Sequence, residues 1–131
     1  YHRYHFPAAG RTADSWEIDG RLHSVNPLAL ALNLPIFDQN HRIVTLLDLV
    51  RFGLVAFVEV GAFGVGGIVQ THQDPAFARL DEKGYFRFGG STIVLVFRPN
   101  SVVFDSDLIA HSAAGTETLV RCGETIGRCV G

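Results

Sequence analysis

Residues 84–97 read Gly84-Tyr85-Phe86-Arg87-Phe88-Gly89-Gly90-Ser91-Thr92-Ile93-Val94-Leu95-Val96-Phe97. Both flanks are rich in aromatic and β-branched side chains, which suit a pleated, half-buried surface. Between them, two glycines and a serine interrupt one long apolar run. Glycine inside a strand weakens it unless the backbone must bend there or come close to another group. The stretch predicts two strands, 84–88 and 92–97, meeting at a corner, and with it a mainly β fold.

The same signals recur outward from the corner. Residues 41–50, 54–60 and 65–71 carry β-branched runs that are continuous rather than alternating, which predicts central strands covered on both faces. Residues 15–24 read as a hairpin, with Asp19-Gly20 as its two-residue turn. Asn26-Pro27 then breaks the chain, and 28–34 is an apolar stretch, either a short helical turn or a buried loop before Pro35. The polar run 71–83, with His72, Gln73, Asp74 and Pro75, predicts a surface loop. Asp105 is placed to cap a short helix through His111 that stops near Gly115, and 117–121 is a final strand candidate. No repeat or linker divides the chain, so a single domain over 1–131 is expected.

Composition agrees and narrows the function. With 47% hydrophobic and 18% charged residues, the 131-residue chain can bury one core. Its net charge of −2 argues against a nucleic-acid partner held through a long row of phosphate contacts. Residues 52–69 are apolar enough to suggest a membrane span. However, Glu59 lies near the middle and Gly53, Gly61, Gly64, Gly66 and Gly67 interrupt the run, so two strands joined by a bend fit better. The sequence has no Met and opens at Tyr1, which leads us to expect a piece of a longer or processed chain. Cys122 and Cys129 have no second pair beside them and are read as reduced thiols.

The corner has two readings. One is a β-bulge or hairpin turn without chemistry. The other is a reactive serine: in a bend only glycine tolerates, the Ser91 hydroxyl would face the Gly90 carbonyl and attack its own preceding peptide bond. Elimination across Ser91 and loss of ammonia would then leave a pyruvoyl group on a new N-terminus. Serine needs a base for such a step, and histidine is the usual one. Two of the six histidines stand together in Tyr1-His2-Arg3-Tyr4-His5. With no third ligand beside His2 and His5, no metal is expected there.

These motifs together resemble the phosphatidylserine decarboxylase family. Tyr1-His2-Arg3-Tyr4-His5-Phe6-Pro7-Ala8-Ala9-Gly10 is similar to its YHRxHxPxxG motif, and Ser24-Val25-Asn26-Pro27 to its SVNP segment. Val60-Gly61-Ala62 and Val65-Gly66-Gly67-Ile68 resemble its VGA and VGSI strands. Gly84 to Thr92 matches its GYFxFGGST processing site, and Asp107-Leu108, Ser112, residues 117–121 and Gly123-Glu124 follow the order of its C-terminal motifs. Two positions depart: Ala9 stands where many members have Asp or Ser, and Leu80 where Gly is common.

The resemblance implies an antiparallel sandwich or barrel-like hybrid with one or two short helices. It implies a proenzyme that cleaves itself between Gly90 and Ser91, into 1–90 and 91–131, and makes its pyruvoyl cofactor from Ser91. That group's carbonyl would take up the substrate amine and act as the electron sink for loss of carbon dioxide. By motif position, His5 would activate Ser91 and His2 would serve decarboxylation. The implied substrate is phosphatidylserine at a membrane surface, with phosphatidylethanolamine as product and the full-length protein peripheral on the cytoplasmic face. Phe6, residues 28–34 and Phe77 are the candidates for reaching lipid. The expected partners are the upstream part of the same proenzyme, which carries an aspartate the family uses in processing, and a second copy in a homodimer. Two alternatives stay open: a pyruvoyl-dependent amino-acid decarboxylase, and a β-domain that keeps the fold without cleaving.

Overall fold

A computed structural model describes residues 2–25, 35–62, 67–87 and 92–130. Its centre is a meander of three long strands, β2 (Gly10–Ile18), β3 (Arg42–Leu49) and β4 (Gly53–Val60). β3 and β4 turn tightly through Val50–Phe52, where the Phe52 N–H bonds the Leu49 carbonyl at 3.2 Å. The turn closes at Gly53, whose φ of +66° lies in the left-handed region that favours glycine. Two more strands complete a five-stranded antiparallel sheet in the order β6-β2-β3-β4-β8, with β6 at Ala76–Phe77 and β8 at Thr92–Val96.

A second sheet has the order β1-β7-β5, from β1 (Arg3–His5), β7 (Glu82–Phe86) and β5 (Ile68–Gln70), again antiparallel. Its inner face packs Tyr4 and Phe86 against Leu47, Leu49, Val55 and Phe57 of the larger sheet, with Phe6 and Phe77 in the same core. The Phe6 and Phe77 rings stack with centroids 3.6 Å apart. Gly84 is required on β7 because a Cβ there would lie 2.6 Å from the Tyr4 hydroxyl. The chain ends in a small ribbon of β9 (Val102–Phe104) and β10 (Gly127–Cys129), which flank the helix α2 (Ser106–Ala113). A four-residue helix, α1 (Ile36–Gln39), precedes β3.

The mainly β, antiparallel expectation with two short helices holds, and the described strands form open sheets rather than a closed barrel. Several local expectations change. Residues 15–24 form no hairpin: β2 ends at Ile18, and Gly20 runs so close to Gln39, Asn40 and His41 that a Cβ would meet the Asn40 carbonyl carbon at 2.6 Å. Arg21 is thereby committed to a parallel bridge with Asn40 instead of a return strand. β3 and β4 are central, as their composition predicts, but their inner face is buried while the outer is mostly half-buried; β5, from the third predicted central segment, is instead an edge of the smaller sheet. The surface loop 71–83 is interrupted by β6, whose Phe77 is core. Residues 117–121 are not a strand; Leu119 is 91% exposed, and the final strand comes later at β10. The helix after Asp105 is present, and Gly115 beyond it has a φ of +71°. Residues 28–34 lie outside the described residues.

Candidate active site

β7 precedes the glycine-serine segment in the chain and β8 follows it, and the corner expected at 88–91 lies outside the described residues. The site is therefore built from what brackets Gly90 and Ser91. The histidine motif runs beside the entering strand. β1 is antiparallel to β7, with Arg3 opposite Tyr85, Tyr4 opposite Gly84 and His5 opposite Glu82. The Phe86 N–H donates to the His2 carbonyl at 3.0 Å, so half-buried His2 flanks the last residues before the corner. His5 lies at the other end of the ladder, about 10 Å farther along β1 at the usual rise per residue. A bulge between Tyr4 and His5 turns the motif there, and His5 Nδ1 lies 3.6 Å from Cys122 Sγ. Sequence reasoning had no reason to bring Cys122 to His5, since 117 residues separate them.

The outer face of this sheet carries a polar cluster. Arg3 donates to Glu82 Oε1 at 2.7 Å and lies 5.3 Å from the centroid of the Tyr85 ring; the Thr71 hydroxyl donates to the same carboxylate oxygen at 2.8 Å. The Thr71 hydrogen bond, helped by Arg3, holds the Glu82 carboxyl below its usual range. Leu80, just before this cluster, has a φ of +70°, which explains why glycine suits the position and why leucine there is strained.

The inner face holds charge. Glu59 on β4 and Lys83 on β7 form a buried ion pair, with the Lys83 ammonium donating to Glu59 Oε1. Gln70 on β5 closes the group: Lys83 Nζ donates to its Oε1 at 2.8 Å, and its Nε2 donates to Glu59 Oε1 at 2.9 Å. Burial pushes the Lys83 ammonium down, against the pull of Glu59. Tyr4 lies alongside, and burial first, then the Glu59 charge, pushes its phenol well up. Neither the Tyr4 hydroxyl nor Glu59 Oε2 has a well-formed hydrogen bond among the described residues. The signal available in the sequence was Glu59 itself, a carboxylate in an apolar run that burial would force to find a partner.

Past the His5 end of β1 lies a cavity of about 570 Å³, lined by Ala8, Leu49, Phe52, Leu95, Phe97 and Phe104, with Arg51, Arg79 and Arg128 also contributing. The aromatic residues proposed to reach lipid are not part of it: Phe6 and Phe77 are buried in the core. Elsewhere, Glu17 and Asp19 flank His41, at 3.3 Å from Nε2 and 3.9 Å from Nδ1, and one donor atom from each of the three lies within 4.8 Å of the others. No helix among the described residues is long and apolar enough to cross a membrane.

The family model described as phosphatidylserine decarboxylase matches residues 1–128. The chain belongs to this family. The phosphatidylserine decarboxylase proenzyme of Chlamydia trachomatis serovar D is 46% identical over 129 residues, covering 98% of this chain and 43% of that protein. The proenzymes of Chlamydia muridarum, at 45%, and Chlamydia felis, at 42% over 132 residues, match over similar shares. The chain thus spans a little under half the length of these phosphatidylserine decarboxylase relatives. No solved structure matches it.

Proposed function

We propose that this chain is the catalytic part of a self-processing, pyruvoyl-dependent phosphatidylserine decarboxylase. The observation that carries the reading is the β1–β7 pairing, which sets the two-histidine motif beside the strand that runs into Gly90-Ser91. A histidine takes the Ser91 hydroxyl proton, and Oγ attacks the Gly90 carbonyl carbon. The Gly90–Ser91 C–N bond then breaks, the nitrogen receives the proton, and an ester remains. Loss of the Ser91 α-proton expels Gly90 as a carboxylate, and water releases ammonia from what is left of Ser91. His2 is the nearer of the two histidines to the corner along β7. This register favours His2 for activating Ser91, with His5 supplying the proton that replaces the carboxylate, the reverse of the division by motif position.

The residues present fit the cofactor, since Ser91 follows two glycines and lies in sequence between β7 and β8, each held in its own sheet. The pyruvoyl group, once formed, supplies a carbonyl electron sink for the carbanion left by decarboxylation. His2 and His5, both half-buried, would hold and deliver protons along the strand that borders it. Apolar walls together with Arg51, Arg79 and Arg128 make the cavity past the His5 end of β1 suited to a substrate with acyl chains and an anionic phosphate, which favours a phospholipid over a free amino acid.

The test is an intact mass of the full-length proenzyme beside its Ser91→Ala variant. Two pieces joined formerly at Gly90-Ser91 are expected, the shorter one blocked to N-terminal sequencing and reactive toward a carbonyl reagent, with the variant whole. A full-length parent that stays in one piece overturns the reading. The His2→Ala and His5→Ala variants separate the roles: the first is expected to stop cleavage, and the second to cleave but lose turnover. Assays on phosphatidylserine liposomes and on free amino acids then decide the substrate.

A further inference from the structure

The buried charges on the inner face bridge the two sheets between the strands that precede and follow Gly90-Ser91. Lys83 is on the strand that enters the corner, and Glu59 lies on β4 directly opposite Ile93, two residues beyond Ser91 on the strand that leaves it. Tyr4, beside the pair, is on the strand between His2 and His5. One ion pair therefore ties together the base-bearing strand and both arms of the bond proposed to break. Apolar side chains fill the surrounding core, and the pair leaves Glu59 Oε2 and the Tyr4 hydroxyl without well-formed hydrogen bonds. Hydrocarbon of the same volume is often as stable as a buried ion pair or more so, which leaves the geometry the pair fixes as a reason for it to be there.

We propose that Glu59 and Lys83 are positioning residues for self-cleavage, their ion pair fixing the separation of β7 and β4–β8 and so the approach of Ser91 Oγ to the Gly90 carbonyl. This rests on the self-processing reading above. The pair acts through the strands and touches neither the reacting atoms nor the substrate. Attack by a hydroxyl on a neighbouring carbonyl tolerates little misplacement, so a tether that holds two arms in one frame acts on rate more than on stability. Gln70, bonded to both partners, keeps the group from opening toward β5.

The experiment uses the full-length proenzyme and follows two quantities in parallel, the first-order rate of cleavage and the Tm of the uncleaved chain held in the Ser91→Ala background. The apolar double variant Glu59→Leu/Lys83→Met is expected to keep its Tm within a few degrees of the parent or above it, while cleavage slows ten-fold or more. The swapped pair Glu59→Lys/Lys83→Glu restores the tether and is expected to recover most of that loss, which packing alone would not do. Should the apolar variant not fold, Glu59→Gln/Lys83→Met is judged by the same criterion. Cleavage at the parental rate in a folded variant that lacks the pair overturns the proposal, as does a slow swapped variant whose Tm matches the parent. An uncleaved parent instead points to failure of the self-processing reading, so the two failures are distinguishable.

Discussion

The packed sheets and the C-terminal segment use apolar side chains in opposite ways. Around β1, β3, β4 and β7, Phe6, Leu47, Val55 and Phe57 are almost wholly removed from water, and the buried charges among the described residues, Glu59 and Lys83, are paired. From residue 101 onward, α2 has no buried residue, and Val103, Ile109 and Leu119 are each more than half exposed. The comparison teaches that the core is complete without the C-terminal segment. That segment pairs with itself in β9–β10 and meets the rest through contacts such as the Arg79 side chain donating to the Gly123 carbonyl at 2.7 Å and the Phe104 ring against Phe97 at 6.0 Å between centroids.

Substitutions can break or sharpen this contrast. Lys83→Ala strands the Glu59 carboxylate in the core and is expected to cost about 3–5 kcal/mol in chemical denaturation. Leu47→Ala opens a cavity at a fully buried site and is expected to cost about 3 kcal/mol. A loss under 1 kcal/mol at Leu47 would mean the first region is not the packed one.

Tyr4→Phe tests the inner face through pH. Tyr4 keeps its proton in the folded chain, whereas the unfolded phenol gives it up near 10.0. The folded state therefore binds more protons above that pH, and stability falls as pH rises, by about 1.4 kcal/mol per unit. Lys83 pulls the other way in a window ending at 10.5, because its folded value is lowered. Comparing parent with Tyr4→Phe largely cancels the Lys83 share. Little difference is expected at pH 7, since the hydroxyl has no well-formed hydrogen bond to lose, and the variant is expected to resist unfolding better at pH 11. Equal alkaline loss in both would remove Tyr4 from the buried group.

Leu80→Gly is expected to gain about 1 kcal/mol by relieving the left-handed backbone. Ile109→Ala on α2 is expected to change stability by less than about 0.5 kcal/mol, and a larger loss there would show that the second region packs more tightly than its exposure indicates.

The long strands were legible because a β-branched run such as Ile43–Val44–Thr45 or Ile93–Val94 carries its own signal. The GYFxFGGST stretch and the paired histidines were likewise local in sequence. What failed was nonlocal. Asp19-Gly20 has the chemistry of a hairpin turn, but close packing of Gly20 on Asn40 redirects the chain. Phe6 and Phe77 look alike to any composition argument, and only the packing, with Phe6 just past β1 stacked on Phe77 of β6 in the core, shows that they face inward. The Glu59–Lys83 pair spans 24 residues; its acid counted only against a membrane span and its base only as the end of a loop.

β8 is the edge of the five-stranded sheet and is bonded to β4 over Ala56–Val60. Under the cleavage proposed here, that edge becomes a strand donated by a separate polypeptide. The mature protein would then be a complex of two chains whose reassembly after denaturation is second order, so its refolding rate would depend on dilution where that of the precursor would not.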